Sequence, residues 1–187
     1  MVWRAKLKYK FEVVLSDMKN YVQIMDNKTL KKSFNNLYAF NYLLSEISEL
    51  KPNSPSIFIL NKSMFDTENR KEGEYYTALP VNVLNAIRDR KIDRKEARIL
   101  YYIKSYINYT DFKKNYCYTG IEKTMIKELK MGKNTIPSYT ESLKKKKLIH
   151  IERNFLKTDF QYTEEGKLIR SKYNNHYYLN YDAIQNL

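Results

Sequence analysis

The sequence holds two histidines, His150 and His176, and a single cysteine, Cys117, at spacings that form no zinc-ligand set. Its four glycines never fall in the GxxxxGK[ST] arrangement that cradles phosphate, and its acidic residues form no metal-binding cluster. These absences point to a non-enzyme with no cofactor and no metal. The chemistry that remains is hydrogen bonding. In KMGKNTIPSYTESLKKKKLIHIER, residues 130–153, Lys133, Asn134, Thr135, Ser138, Tyr139 and Ser142 recur at the three- and four-residue steps of a helix. Asn carries a donor and an acceptor side by side, which suits the edge of adenine. Lys donates, which suits the acceptors of guanine. The run Lys144–Lys147 follows, and Lys145 within it is a candidate phosphate contact, although a solvated helix end explains the run nearly as well.

Three elements must position these side chains. IEKTMIKELKM at 121–131 reads as a short amphipathic helix with Ile121, Met125, Ile126 and Leu129 inward. Gly132 makes a turn, and a second helix follows with Ile136, Tyr139 or Thr140, and Leu143 inward. LIHIERNF at 148–155 and YNNHYYLNYD at 173–182 are strand-like. Folding them about Glu165 and Gly166 sets Ile151 near Leu179 and Arg153 near Tyr177. Pro137 tests the second helix. A helix starting at Gly132 would place it fifth, where its missing N–H removes a bond. If Lys133 or Asn134 is the cap, the proline falls where N–H groups have no partner anyway. The expectation is a helix starting one or two residues after Gly132, with the Asn134 side chain accepting from Ile136 N–H.

KTMIKELKMGKNTIPSYTESLKKKKLIHIER resembles the winged helix-turn-helix of bacterial DNA-binding proteins, in the style of plasmid and phage replication initiators and regulators. YTALPVNVLNAI followed by KEARILYYIKSYIN is similar to the lead-in helices of that group, so the resemblance covers roughly residues 75–182. Gly132 stands where the family has a turn serine, and Lys147 precedes Leu148 and Ile149 where the family has glycine. The resemblance implies sequence-specific binding of double-stranded DNA, with Lys133, Asn134, Thr135, Ser138, Tyr139 and Ser142 facing the major groove. It also implies a long β-hairpin wing whose flanking cations, Lys157, Lys167, Arg170 and Lys172, lie along the backbone or minor groove. Arg170 is the first candidate among them. Glu164 and Glu165 at the tip argue against a phosphate contact there. Such proteins bind repeated half-sites, so a homodimer on DNA is expected.

The rest of the chain sets the frame. A net charge of +13 over 187 residues points to an anionic partner, and the excess is spread along the whole length. Residues 3–13 alternate strictly, with Trp3, Ala5, Leu7, Tyr9, Phe11 and Val13 on one side and charged residues on the other, as in a half-buried strand. Leu30, Phe34, Leu37, Tyr38, Leu44 and Ile47 predict one long helix over 27–50, ended by Pro52 and Pro55, and SIFIL at 56–60 predicts a strand. ENRKEGE at 68–74 is the best boundary. The expected class is therefore α+β, with a small α/β module at 1–74, suited to self-association, and the winged helix at 75–187. Asp93 and Glu96 have capping-box spacing at the head of a helix carrying Ile99, Leu100, Ile103 and Ile107 inward.

MVWRAKLKYK has no secretory h-region and no apolar run approaches about 18 residues, so a cytoplasmic protein without membrane spans is expected. HIER at 150–153, with Tyr181 downstream, superficially resembles the His-x-x-Arg of tyrosine recombinases, but the rest of that catalytic set is missing. Beside DNA binding stand an autorepressor of a mobile element and a winged-helix module docking a replisome or host defence protein. Single-strand binding through the tyrosines fits less well, because most of them fall at periodic core positions.

Overall fold

The computed structural model describes residues 9–52, 54–65, 77–107, 114–118, 124–155, 164–165 and 173–187. They form a mixed α+β structure that divides into two compact units, Met1–Tyr75 and Tyr76–Leu187.

In the first unit β1 (Lys10–Val13) pairs antiparallel with β2 (Ser56–Ile59), setting Phe11 opposite Phe58. Their rings stack at 5.5 Å, and Phe34 meets Phe58 at 5.0 Å. Two helices cover this ribbon: α1 (Leu15–Val22), in a stretch with no clear sequence signal, and α2 (Asn27–Ala39). Asp26 caps α2 by accepting from the N–H groups of Lys28 and Thr29. Leu15, Leu30, Phe34, Leu43, Ile47 and Phe58 form the core. A third helix, α3 (Lys62–Phe65), follows β2. The long helix expected over 27–50 stops at Ala39. There Tyr42 N–H bonds to Leu37 O and Asn41 N–H to Tyr38 O, with Asn41 at φ 60°. That pair of bonds around a left-handed residue is the Schellman stop, which Asn tolerates better than most residues. The chain then runs beside β2, with Leu44 N–H donating to Ile59 O. Leu37, Tyr38 and Leu44, expected in the helix's apolar stripe, are exposed, the first two within α2 itself. The strand expected over 3–13 forms over Lys10–Val13, with Tyr9 just before it; residues 3–8 lie outside the described residues.

In the second unit α4 (Asn82–Arg88) and α5 (Arg94–Ser105) lead to β3 (Cys117–Tyr118) and α6 (Ile126–Leu129). After them come α7 (Thr135–Lys145), β4 (Ile149–Phe155), β5 (Tyr173–Leu179) and α8 (Tyr181–Gln185). The capping box forms as expected: Lys95 N–H donates to Asp93 and Asp93 N–H to Glu96, both at 2.6 Å. The three strands lie in the order β3-β5-β4, all antiparallel. One sheet face, with Cys117, Ile149, Tyr177 and Leu179, packs into a core that includes Ile99, Leu100, Ile103, Ile136 and Leu143. The hairpin register corrects the expected one by two residues: Ile149, not Ile151, lies opposite Leu179, and Ile151 opposite Tyr177. A two-residue slip leaves every side chain on its own face, so alternation alone cannot detect it. Asn180 fixes the end of β5. Its N–H donates to Leu148 O, its side chain donates to Lys147 O and accepts from Ala183 N–H at the start of α8.

Two exits from helices in this unit repeat the Schellman stop without glycine. Arg90 (φ 59°) ends α4 and Lys147 (φ 59°) ends α7, the latter with Leu148 N–H bonded to Leu143 O and Lys147 N–H to Lys144 O. Lys147→Gly removes the steric cost of a Cβ in this region and is expected to stabilise the unit by about 0.5–1 kcal/mol. Thermal unfolding checks this; an unchanged or lower midpoint contradicts it.

Candidate nucleic-acid interface

The residues around α7 fall into place from the turn that precedes it. A wider helical turn at Thr124 and Met125 enters α6; Met125 and Leu129 are buried, and Ile126 packs beside them. Ile121 lies outside the described residues. The left-handed residue of the turn is Lys130 (φ 50°), not Gly132. Gly132 matters for space: a Cβ there would stand 3.2 Å from Thr135 Oγ1. Thr135 N–H donates to Gly132 O, and α7 starts at Thr135 with Asn134 as its cap residue. Pro137 is therefore the third helical residue, and its lack of an N–H costs nothing. The Asn134 side chain makes no cap bond, contrary to the expectation, because Asn134 itself has helical backbone angles (φ −83°, ψ −17°). A capping Asn normally has extended angles, which aim its oxygen back at the first N–H groups.

Ile136, Thr140 and Leu143 are buried, and Thr140 donates back to Ile136 O at 2.9 Å. This leaves Lys133, Asn134, Ser138, Glu141, Lys144 and Lys145 exposed, with Thr135 half-buried. Two expected members of the exposed set are turned aside. Tyr139 is half-buried against the core, with Lys95 Nζ 5.5 Å from its ring centroid. Ser142 is half-buried and hydrogen-bonds to Glu96. Glu141 is a member of the exposed set that the sequence reading did not include. It sits one turn beyond Ser138, where a carboxylate can accept from cytosine N4 but repels phosphate.

Three tethers join α5 and its C-cap residue Tyr106 to α6 and to the end of α7. Arg98 Nη2 donates to Leu129 O at 2.6 Å, closing the C-terminus of α6, and Tyr106 Oη donates to Glu128 at 2.6 Å. Lys146 Nζ reaches Glu96 Oε2 at 2.6 Å; the Glu96 side chain is 2 % exposed and that of Lys146 37 %. Burial pushes the Glu96 carboxyl up. Hydrogen bonds from Lys146, Ser142 and the Asp93 N–H outweigh it and hold the group below its usual value. One lysine of the four-lysine run is thus committed to an ion pair inside the fold.

No protein-family model, no curated protein and no solved structure matches this chain.

Of the remaining expected contacts, Lys157, Lys167, Arg170 and Lys172 lie outside the described residues. Glu164 and Glu165 occupy a turn and are exposed. Among the described residues no group of three or more His, Cys, Asp and Glu is placed to hold a metal ion. No helix of those residues is long and apolar enough to cross a membrane.

Proposed function

We propose that residues 75–187 are a winged helix-turn-helix that binds double-stranded DNA sequence-specifically, with α7 in the major groove and the β4–β5 hairpin as the wing. The observation that carries this reading is the start of α7. Lys133, Asn134 and Ser138 stand exposed around the first turn of a helix whose opposite face is fixed by Ile136, Thr140 and Leu143. Residues at the N-terminal turns of a helix are the ones that reach base edges. The charge of +13 supplies the attraction for phosphate. Lys144 and Lys145 in the last turn are the described cations best placed to add a backbone contact. Repeated half-sites and a homodimer, joined through residues 1–74, fit this reading, as does a role in replication initiation or autoregulation of a plasmid or phage.

Fluorescence anisotropy with random duplex DNA over a salt series tests it. The logarithm of the binding constant should fall linearly with the logarithm of salt, by about 0.9 for each phosphate neutralised. A flat response would reject DNA binding in favour of a module that docks a replisome or host defence protein. Selection from a random duplex library then yields the site, and its repeat spacing yields the symmetry.

A further inference from the structure

The outer face of the three-stranded sheet, turned away from the core, gathers rings from separate parts of the chain. Tyr116 and Tyr118 flank the buried Cys117, His176 and Tyr178 alternate with the buried Tyr177, and His150 follows the buried Ile149. Tyr118 pairs with His176, and His176 with Glu152; Tyr178 pairs with His150. The rings form a continuous array. Tyr116 lies parallel to His176 at 3.9 Å and 7°, Tyr118 meets His176 edge-on at 5.7 Å, and Tyr178 lies 5.5 Å from Tyr116 and 6.0 Å from His150. Tyr118 is 55 % exposed, and His150 is exposed beside Tyr178. Tyr116, Tyr118 and Tyr178 are thus not core residues, contrary to the expectation that most of the tyrosines are.

We propose that this sheet face is a stacking platform for unpaired nucleobases, a second nucleic-acid site independent of α7. The chemistry of the face selects the occupant. Its described side chains are Tyr116, Tyr118, His150, Glu152, His176 and Tyr178, with Asn154 and Asn174 in the rung beyond, and none is aliphatic. Flat π-faces with hydrogen-bonding edges match bases, which stack on aromatic rings. The one carboxylate is engaged within the face: Glu152 accepts from Tyr178 Oη at 3.0 Å and lies 3.4 Å from His150 Nε2. The chain's net charge of +13 provides the long-range attraction that a polyanionic strand requires. Because every base has a π-face, the site is tolerant of sequence, unlike the reading proposed for α7.

The test is anisotropy of the full chain with labelled dT15, U15 and a 15-mer of abasic deoxyribose phosphate. Stacking predicts that dT15 or U15 binds about tenfold or more tighter than the abasic strand, and whichever is preferred identifies DNA or RNA as the source. Tyr118→Ala, in β3 and outside the wing hairpin, should lose about tenfold or more on the base-bearing strand while duplex binding is unchanged. Tyr118→Phe should retain affinity and Tyr118→Leu, similar in apolar bulk, should not. Equal binding of abasic and base-bearing strands, or full affinity in the Leu variant, would overturn the proposal. Lys133→Ala/Asn134→Ala, which addresses α7, should leave dT15 and U15 binding intact, so the two readings fail separately.

Discussion

Replacing Lys133 and Asn134 together by alanine is expected to abolish preference for the cognate duplex and leave the protein folded. Each base contact of this kind is worth about 1–3 kcal/mol of discrimination, so the ratio of specific to random binding should fall at least tenfold. Stability should change by no more than about 0.5 kcal/mol, because both residues are exposed and Asn134 makes no cap bond. Lys145→Ala provides the contrast. If Lys145 neutralises a phosphate, its removal weakens specific and random binding alike and reduces the salt slope by about one. Competition footprinting with cognate and random duplexes separates the two patterns. A footprint unchanged in the double variant would remove α7 from the reading role.

Glu96→Ala is expected to have the largest effect on stability, about 2–3 kcal/mol. It strips the cap of α5 of its acceptor for Asp93 N–H and leaves Lys146 and Ser142 without their carboxylate. Lys146 can swing into water, which is why the effect falls short of that for a wholly buried pair. Urea unfolding, with hydrogen exchange read in α5 and α7, measures the change. The dependence on pH has a definite direction. The Glu96 carboxyl is held below the ordinary 4.5 in the folded protein, so its contribution is full above that pH. It is lost as pH falls through the lowered folded value. The gap between wild type and Glu96→Gln should therefore be constant near neutrality and close in acid. A gap that widened below pH 4.5 would show that the carboxyl is not stabilised as an anion.

The parts of the fold legible in the sequence are those fixed by short-range rules. The Asp93–Glu96 box, Ile136 and Leu143 inward on α7, and the late start of α7 forced by Pro137 each follow from spacing within about one or two turns; the choice between Tyr139 and Thr140 as the third inward residue does not. The end of α2 is hidden because Asn41, unlike glycine, does not announce a left-handed residue. β3 escapes because two residues carry no period. The Glu96–Lys146 tether joins residues fifty positions apart, and the ring array of the outer sheet face needs three strands in register before it exists. Ser142 and Tyr139 show the same limit on a smaller scale. Helical spacing puts them at the margin of the exposed face, and only α5, lying against that margin, determines that they turn inward.

Lys144–Lys147 looks like a tract in which one lysine more or less would pass unnoticed, yet its four positions do four different things. Lys144 accepts at its carbonyl from Lys147, Lys145 is the last helical residue, Lys146 holds Glu96, and Lys147 takes the left-handed bend with its carbonyl bound by Asn180. The tract is thus a spacer measured in residues. Deleting one lysine would bring Leu148 into the bend, slide Ile149 back to the place of Leu148, and turn His150 into the core position opposite Leu179. Exchanges of residue type at Lys144 or Lys145 are mild by comparison. Mutational tolerance here is governed by reading length rather than by composition, so a single-codon deletion in this repeat would be more damaging than most substitutions within it.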